Sequence, residues 1–388
     1  MSTVARYLRG QFHEAVLGWN RFWFTPADPI TLALIRILAG AMLFYTHLVW
    51  SIGLEDFFGR HAWVSPAAID ALENPQSAQR VAPEDQQQAE TPRPRSYAWS
   101  HFFWIESPAA IWTIHIAGLI VLLMLTLGLM TRVASVLAFL LVVSYANRVP
   151  GALFGLDDIN GMLAMYLMVG PAGAVWSLDS WLKRRGAMGG LSALVPSNKD
   201  EPSSESGKGG QAAHATRAEA ASGSVGANIA IRLMQVHLCI IYLFSGLGKL
   251  RGDTWWDGTA IWGAIANLEY QSIDMTWMAH WPLLINVLTH VTIVWEVFYC
   301  ALIWPRALRP WMLLLAIPLH LGIAVFLGMM TFGLVMLIAN VAFVPPEWLR
   351  ALSEKHQQPS GAGQGRGESP RTASTASREH AKPRRRKR

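Results

Sequence analysis

The sequence has few charged residues and almost no cysteine, and both shortages narrow what the chain can be. Charged residues make up 15% of the 388 positions, against roughly 25% in soluble proteins, which argues against a set of ordinary globular domains. The two cysteines, Cys239 and Cys300, lie inside apolar stretches. We therefore expect neither a disulfide framework nor a metal site built on thiolates. Residues 1–28 are polar and aromatic and lack the pattern of a cleavable signal peptide.

Apolar and aromatic residues, by contrast, are abundant. They reach 52% of the chain and include 18 tryptophans, a composition typical of membrane proteins. The net charge of +6 comes from one segment, because residues 350–388 carry 11 Lys or Arg against 3 Glu and leave −2 for the rest. The positive net charge is therefore concentrated in the C-terminal tail. We expect membrane lipid as a partner and no nucleic acid.

Long apolar runs predict an all-α, multi-pass integral membrane helical bundle. A bilayer core of about 30 Å needs roughly 20 apolar residues in a helix, and about eight runs approach that length. Pro318 interrupts the seventh run, and a turn at Gly328 separates it from the eighth. The predicted spans are residues 29–50, 108–128, 132–149, 159–177, 229–249, 283–304, 310–327 and 329–345.

Lys and Arg residues predict the orientation, since positively charged short loops stay in the cytoplasm. They cluster before the first span, after the second, fourth and sixth, and in the tail, which places both termini in the cytoplasm. In a bacterium the location would be the plasma (inner) membrane. The predicted organisation is an N-terminal interfacial segment (1–28), a first part of the bundle (29–185) with an outer loop (51–107), a disordered linker (186–227), a second part of the bundle (228–350) and a disordered basic tail (351–388).

Two ionisable residues lie deep in predicted spans, where each needs a partner or a function. Arg36 is about seven residues into the first span, and Glu296 lies at comparable depth in the sixth. The guanidinium must find a carboxylate or backbone carbonyls. We predict an Arg36–Glu296 ion pair that locks the bundle.

The fifth span carries a polar stripe. Gln235, Tyr242 and Lys249 recur every seven residues, and Ser245 lies four residues before the lysine, so all four share one helix face. Lys249 falls at the outer membrane boundary, with Trp256 shortly after it. One interpretation is a lysine that reaches the interface beside an aromatic belt. The other is a partly desolvated amine that acts as a base.

Further polar residues fall in the same outer half of the predicted bundle. Asp157 and Asp158 occupy the turn between the third and fourth spans, and His320 lies just past the middle of the seventh. These residues could also have purely structural roles. The aspartates would then form a solvated helix cap, and His320 would be a core histidine packed beside Pro318.

Several segments, taken in order, resemble the vitamin K-dependent γ-carboxylase family and its bacterial relatives with the horizontally transferred transmembrane (HTTM) domain. The resemblance covers about residues 20–350. The segments that carry it are Asp28-Pro29, Ile35-Arg36-Ile37-Leu38-Ala39-Gly40, Leu127-Gly128-Leu129-Met130-Thr131-Arg132, Gly161, Trp176-Ser177-Leu178-Asp179, Tyr242-Leu243-Phe244-Ser245-Gly246-Leu247-Gly248-Lys249-Leu250, Trp256-Asp257-Gly258, Pro318-Leu319-His320 through Phe332-Gly333, and Pro346-Glu347-Trp348.

The resemblance implies that Lys249 is a catalytic base. In the family this amine deprotonates a reduced naphthoquinone, of vitamin K or menaquinone type. Oxygen then adds, a strong base forms and takes a γ-proton from a peptidyl glutamate, and the carbanion captures carbon dioxide. By the same resemblance His320 would orient the ligand, and other residues would line its pocket or modulate the lysine: Tyr242, Ser245, Trp256, Asp157 and Asp158.

The chain also departs from the family pattern. Leu156 or Asp157 stands where the family has a histidine, and Ile323 stands where it has an asparagine. A basic tail follows the spans where the family enzymes have a large soluble domain that holds the substrate. The sequence therefore leaves three classes open: a lyase-like, quinone-coupled enzyme acting on an external peptide or small molecule, a non-enzymatic protein that binds quinone or lipid or handles a peptide, and a transporter.

Overall fold

The computed structural model describes residues 3–59, 62–65, 68–69, 99–105, 107–194 and 223–355. In this part of the chain the regular structure is helical, apart from an isolated bridge between Ala27 and Ser224. The all-α prediction is confirmed. The centre of the outer loop, most of the predicted linker and most of the tail lie outside the described residues.

The α-helices are numbered here in chain order. They are α1 (Thr3–Phe24), α2 (Ile30–Trp50), α3 (Leu54–Phe58), α4 (Pro108–Leu127), α5 (Thr131–Arg148), α6 (Gly155–Val169), α7 (Leu178–Leu194), α8 (Val225–Lys249), α9 (Asp253–Trp256), α10 (Ala260–Ile265), α11 (Pro282–Leu302), α12 (Arg309–Phe326), α13 (Met330–Asn340) and α14 (Pro346–Lys355).

Five of the described helical segments are long and apolar enough to cross a membrane: Ile30–Phe58, α4, α8, α11 and α12. A sixth arises if Met330–Phe343 and Pro346–Ser353, which meet at 101°, form one broken span. These helices indicate an integral membrane protein.

Helices α5 and α6 occupy the third and fourth predicted spans, but they fall outside that group. Helix α5 carries Arg132 and Arg148, and α6 has only 15 residues. The predicted fourth span, 159–177, is misplaced. The helix begins at Gly155, where the Asp157 carboxylate accepts the Phe154 N–H, and it ends at Val169 before Gly170 and Pro171.

Local signals explain several of the helix boundaries. The Ser107 hydroxyl accepts the Ala110 N–H and Pro108 opens α4, while Gly128 closes α4 in the left-handed region at φ 73°. Gly328, at φ 68°, separates α12 from α13 as predicted. Pro318 lies within an uninterrupted α12.

The main core forms where α2, α6, α8, α11, α12 and α13 meet. Leu32, Leu163, Leu238, Tyr299 and Val335 come from five of these helices and are fully buried in one cluster. Helix α8 packs along α11, and α12 packs along α13. We name the two ends of the bundle by the polar residues found there, the Arg36 end and the Lys249 end.

The ends of the predicted outer loop cap the bundle at the Lys249 end. Phe58 and Phe102 are buried against Tyr145 of α5. His101 lies in the same cap, 2.5 Å from the Ser144 hydroxyl through Nδ1. Burial lowers the pKa of His101 from 6.5 to about 4.

Helix extends into both segments that the sequence predicts to be disordered. Helix α7 continues to Leu194 and α8 starts at Val225, so helix occupies both ends of the predicted linker 186–227. Helix α14 runs to Lys355, inside the predicted tail, and Arg350 forms an ion pair with Asp28. Helix α1 within the predicted interfacial segment exposes apolar side chains, among them Phe12 and Trp19.

Candidate functional site

Lys249, the last residue of α8, is held by two side chains at its end of the bundle. Its Nζ donates to the Ser245 hydroxyl at 2.7 Å and to both Glu296 oxygens, at 2.7 and 3.0 Å. The lysine side chain is 25% exposed and the glutamate 13%. The amine is therefore anchored inside the bundle by a carboxylate rather than extended into solvent.

Gly246 lets α8 approach α11 closely enough for this pair to form. A Cβ atom at Gly246 would lie 2.8 Å from Val297 Cγ2 and 2.9 Å from the Val297 backbone nitrogen. Small residues permit such close helix contacts in membrane proteins. Gly248 has no atom within 4 Å of the same position, so only one of the two motif glycines is needed for packing.

A chain of four hydrogen-bonded side chains lies in the core of the bundle, one to two turns of α8 before Lys249. The Tyr299 hydroxyl donates to Asn340 Oδ1 at 2.7 Å, and Asn340 Nδ2 donates to the Tyr242 hydroxyl at 2.8 Å. The Tyr242 hydroxyl lies 2.6 Å from His320 Nε2. All four residues are at least 96% buried.

The direction of this chain fixes the proton on His320. The Tyr242 oxygen already accepts from the amide, so its own proton is directed to His320 Nε2. Neutral imidazole then carries its proton on Nδ1. Nδ1 is buried and has no hydrogen-bond partner among the described residues, so an N–H donor is left without an acceptor, which is costly in a dry interior.

Aromatic rings pack beside both the hydrogen-bonded chain and the ion pair. The Trp295 ring packs against both Tyr242 and His320, and Lys249 Nζ lies 5.5 Å from the centre of the Trp255 ring. The ion pair can exchange a proton, and the unpartnered N–H can donate to an acceptor such as a carbonyl oxygen.

The predicted Arg36–Glu296 ion pair is wrong. The Arg36 guanidinium donates to four backbone carbonyls, those of Ala172, Leu125, Thr126 and Trp176, at 2.5 to 3.0 Å. Leu125 and Thr126 lie in the last turn of α4, where carbonyls have no partner within the helix. Arg36 thus caps a helix at its own end of the bundle, and Glu296 is available to Lys249.

Three of the segments that carry the family resemblance meet at Arg36. Gly128 lies so close that a Cβ atom there would be 2.6 Å from Arg36 Nη1, and Trp176 supplies one of the carbonyls. Asp179 accepts from the backbone N–H groups of Met130 and Thr131 and from the Thr131 hydroxyl. Partial burial raises the pKa of Asp179, but these hydrogen bonds outweigh it and the net pKa is lowered. These motif residues support the fold.

Only some of the residues predicted to line the pocket lie at the site. Ser245 and Tyr242 belong to the site, as described above. In the described structure no hydrogen bond or ion pair joins Asp157 or Asp158 to Lys249, and Asp157 instead caps α6. Trp256 is 65% exposed and donates to the Leu250 carbonyl.

Five residues of the site were missed or misassigned by the sequence reasoning, and Trp295 is one of them. Trp255, not Trp256, faces the lysine, and Glu296 forms its ion pair with Lys249. Asn340 could have been noticed as an amide in an apolar helix, whereas Tyr299 gives no signal in the sequence. The described residues contain no group of three or more His, Cys, Asp or Glu side chains arranged to hold a metal ion, and both cysteines are free thiols.

Comparison with known proteins gives no independent identification. No family model, curated protein or solved structure matches the chain. The resemblance to the carboxylase family therefore stays a prediction, which depends on the motif residues and on the site they build.

Proposed function

We propose that the chain is an HTTM-type membrane protein, related to the membrane core of vitamin K-dependent γ-carboxylases, and that Lys249, Glu296 and His320 form its reaction centre. It would act with a reduced naphthoquinone on an external peptide or small molecule. The observation that carries the proposal is the buried His320 Nδ1–H without a partner, close to an anchored lysine in a membrane bundle.

The proposed topology has eight spans, with both termini in the cytoplasm and, in a bacterium, the plasma membrane as the location. The eight are α2, α4, α5, α6, α8, α11, α12 and α13. The Lys249 end would face outward, because Arg and Lys residues collect at the opposite end. Single cysteines placed near 253 and 186 in a background without Cys239 and Cys300 would test this, since only the first should react with an impermeant maleimide added outside the cell.

In this proposal a quinone would contact His320 and Trp295. His320 Nδ1–H can donate to one carbonyl or hydroxyl oxygen, and Trp295 offers an aromatic face nearby. The hydrogen bonds from Tyr299 through Asn340 and Tyr242 keep the imidazole in the donating tautomer. When bound in reduced form, the naphthoquinone would supply the strong base that the family generates with oxygen.

The Lys249–Glu296 pair would act as one proton acceptor. With the lysine as ammonium and the glutamate as carboxylate, the pair can bind one more proton. That proton is formally added to the Glu296 carboxylate. Nζ would first pass one of its protons to Oε2 across the 2.7 Å hydrogen bond, and its freed lone pair would then accept the proton of the ligand, without water. Ser245 would orient the amine through its hydroxyl.

Mass spectrometry for γ-carboxyglutamate tests the proposal most broadly. Membrane and exported proteins would be compared between cells that express the wild type and cells that express Lys249→Ala, Lys249→Arg or Arg251→Ala. Arg251 is the matched control, an exposed cation two residues beyond Lys249. We expect the modification with the wild type and with Arg251→Ala, and its loss with both lysine variants at equal membrane abundance.

The other two classes make different predictions. A non-enzymatic protein that binds quinone, lipid or peptide would tolerate Lys249→Arg, since arginine can keep the ion pair with Glu296. A transporter would depend more on Arg36 and Glu296, deep in the bundle, than on Lys249. Absence of the modification in wild-type cells would refute the carboxylase proposal.

A further inference from the structure

A cavity at the Lys249 end lies apart from the proposed reaction centre. It is enclosed by the last turns of α2 and α5 and the first turns of α6, and no residue of the Lys249–His320 site lines it. The volume available to the centre of a water-sized group is about 20 Å³. Since one water needs at least about 10 to 15 Å³ by this measure, the cavity accepts the tip of a ligand, on the order of one or two heavy atoms.

Two side chains that line this cavity carry buried polar atoms without partners. His47 Nδ1 lies 2.8 Å from the Leu43 carbonyl, which can only accept, so Nδ1 holds the proton and neutral Nε2 is an acceptor. Nε2 has no hydrogen-bond partner, and neither has Asn160 Oδ1. The two residues are 94% and 97% buried. Buried acceptors of this kind normally bind a donor.

The charge and aromatic content of the lining favour a cation. Asp157 supplies a carboxylate, Trp50 and Tyr145 supply aromatic rings, and the lining contains no Lys or Arg. Acceptors, a negative charge and aromatic faces together suit an ammonium group. The small volume favours a primary ammonium over a quaternary one, whose methyl groups need more space.

We propose that this cavity binds a primary ammonium group, donating to His47 Nε2, Asn160 Oδ1 and the Asp157 carboxylate. The group could belong to an ethanolamine lipid headgroup or to a free primary amine, since both present the same chemistry. The inference does not depend on the quinone proposal, because no residue is shared between the two sites.

Thermal unfolding of the purified full-length protein tests this inference. The protein would be reconstituted in nanodiscs of phosphatidylcholine, with and without phosphatidylethanolamine, and separately titrated with ethanolamine, tetramethylammonium or ethylene glycol. We expect a saturable rise in Tm with the ethanolamine lipid, with free ethanolamine or with both, and none with the other two solutes. A response to the lipid alone identifies the headgroup as the source, and a response to free ethanolamine alone identifies a soluble amine.

Variants of neighbouring aspartates give the decisive control. Asp157→Asn keeps an oxygen for the Phe154 N–H and removes the charge, so the apparent Kd should rise at least about tenfold, as expected for loss of a charged hydrogen bond. Asp158→Asn changes an exposed neighbour and should leave Kd unchanged. Asn160→Leu should also weaken binding. An absent response to both amine sources, or an equal response in the wild type and Asp157→Asn, would overturn the proposal and leave water as the occupant.

Discussion

The Lys249–Glu296 ion pair makes a prediction about stability that does not depend on any enzymatic activity. Lys249→Met and Glu296→Met each replace one partner by an apolar, unbranched side chain. Each single variant should destabilise the protein, because it leaves one partly buried charge without its counterion. The double variant should recover most of the loss.

The size of the effect follows from the geometry. At an N–O distance of 2.7 Å and an effective dielectric constant of about 20, the Coulomb attraction is about 6 kcal/mol. Desolvation of the two ions offsets most of this gain. Since the side chains remain 25% and 13% exposed, we expect each single variant to cost about 2 kcal/mol, below the roughly 3 to 5 kcal/mol for a fully buried pair. If the double variant costs only about 1 kcal/mol, the coupling energy is about 3 kcal/mol, at the upper end of the range for residues in contact.

A double-mutant cycle measures this coupling. Unfolding of the wild type, both single variants and the double variant would be followed by helical circular dichroism in mixed micelles of increasing SDS content. The three variants share one detergent series, so effects common to any substitution cancel in the cycle. If the two single costs add in the double variant to within about 0.5 kcal/mol, the side chains do not form the pair described here.

Three further predictions concern packing and pH. Gly246→Val should separate α8 from α11 and cost about 1 to 3 kcal/mol in the same unfolding assay. Gly248→Ala should be neutral or stabilising, because Gly248 has open space around it. Equal costs for the two variants would contradict the close approach of α8 and α11. Gly128→Ala should be strongly destabilising, because φ is 73° and the new Cβ would meet Arg36, and normal expression and Tm would refute this. His101 has a lowered pKa in the folded state, so the unfolded state binds its proton first and cap stability should fall from about pH 6.5 toward pH 4. Hydrogen exchange in residues 101–105 would show this loss, and His101→Phe should reduce the pH dependence.

The helical segments could largely be predicted from the sequence, because apolar runs of membrane length have few alternatives. The bounds of α2, α4, α11 and α12 differ from the predicted spans by two residues or fewer at each end. The fourth span failed because its apolar run continues past Val169 into the turn at Gly170-Pro171, where the backbone leaves the helix. Hydropathy alone does not record that turn.

The site was only partly predictable, since depth along a span does not determine which helices touch. Arg36 and Glu296 were paired by depth, but carbonyls at the end of α4 satisfy the arginine. The stripe on α8 correctly grouped Tyr242, Ser245 and Lys249 on one face. Their partner Asn340 comes from α13, and contacts between helices distant in the sequence cannot be derived from periodicity.

Quantification of bound quinone tests the central claim most directly. Lipid extracts of the purified wild type, His320→Leu and Arg251→Ala would be analysed by mass spectrometry for naphthoquinone per mole of protein. We predict close to one quinone per chain in the wild type and in Arg251→Ala, and a several-fold loss in His320→Leu. Quinone no higher than in bulk membrane lipid, or equal amounts in the wild type and His320→Leu, would contradict a quinone site at His320 and Lys249.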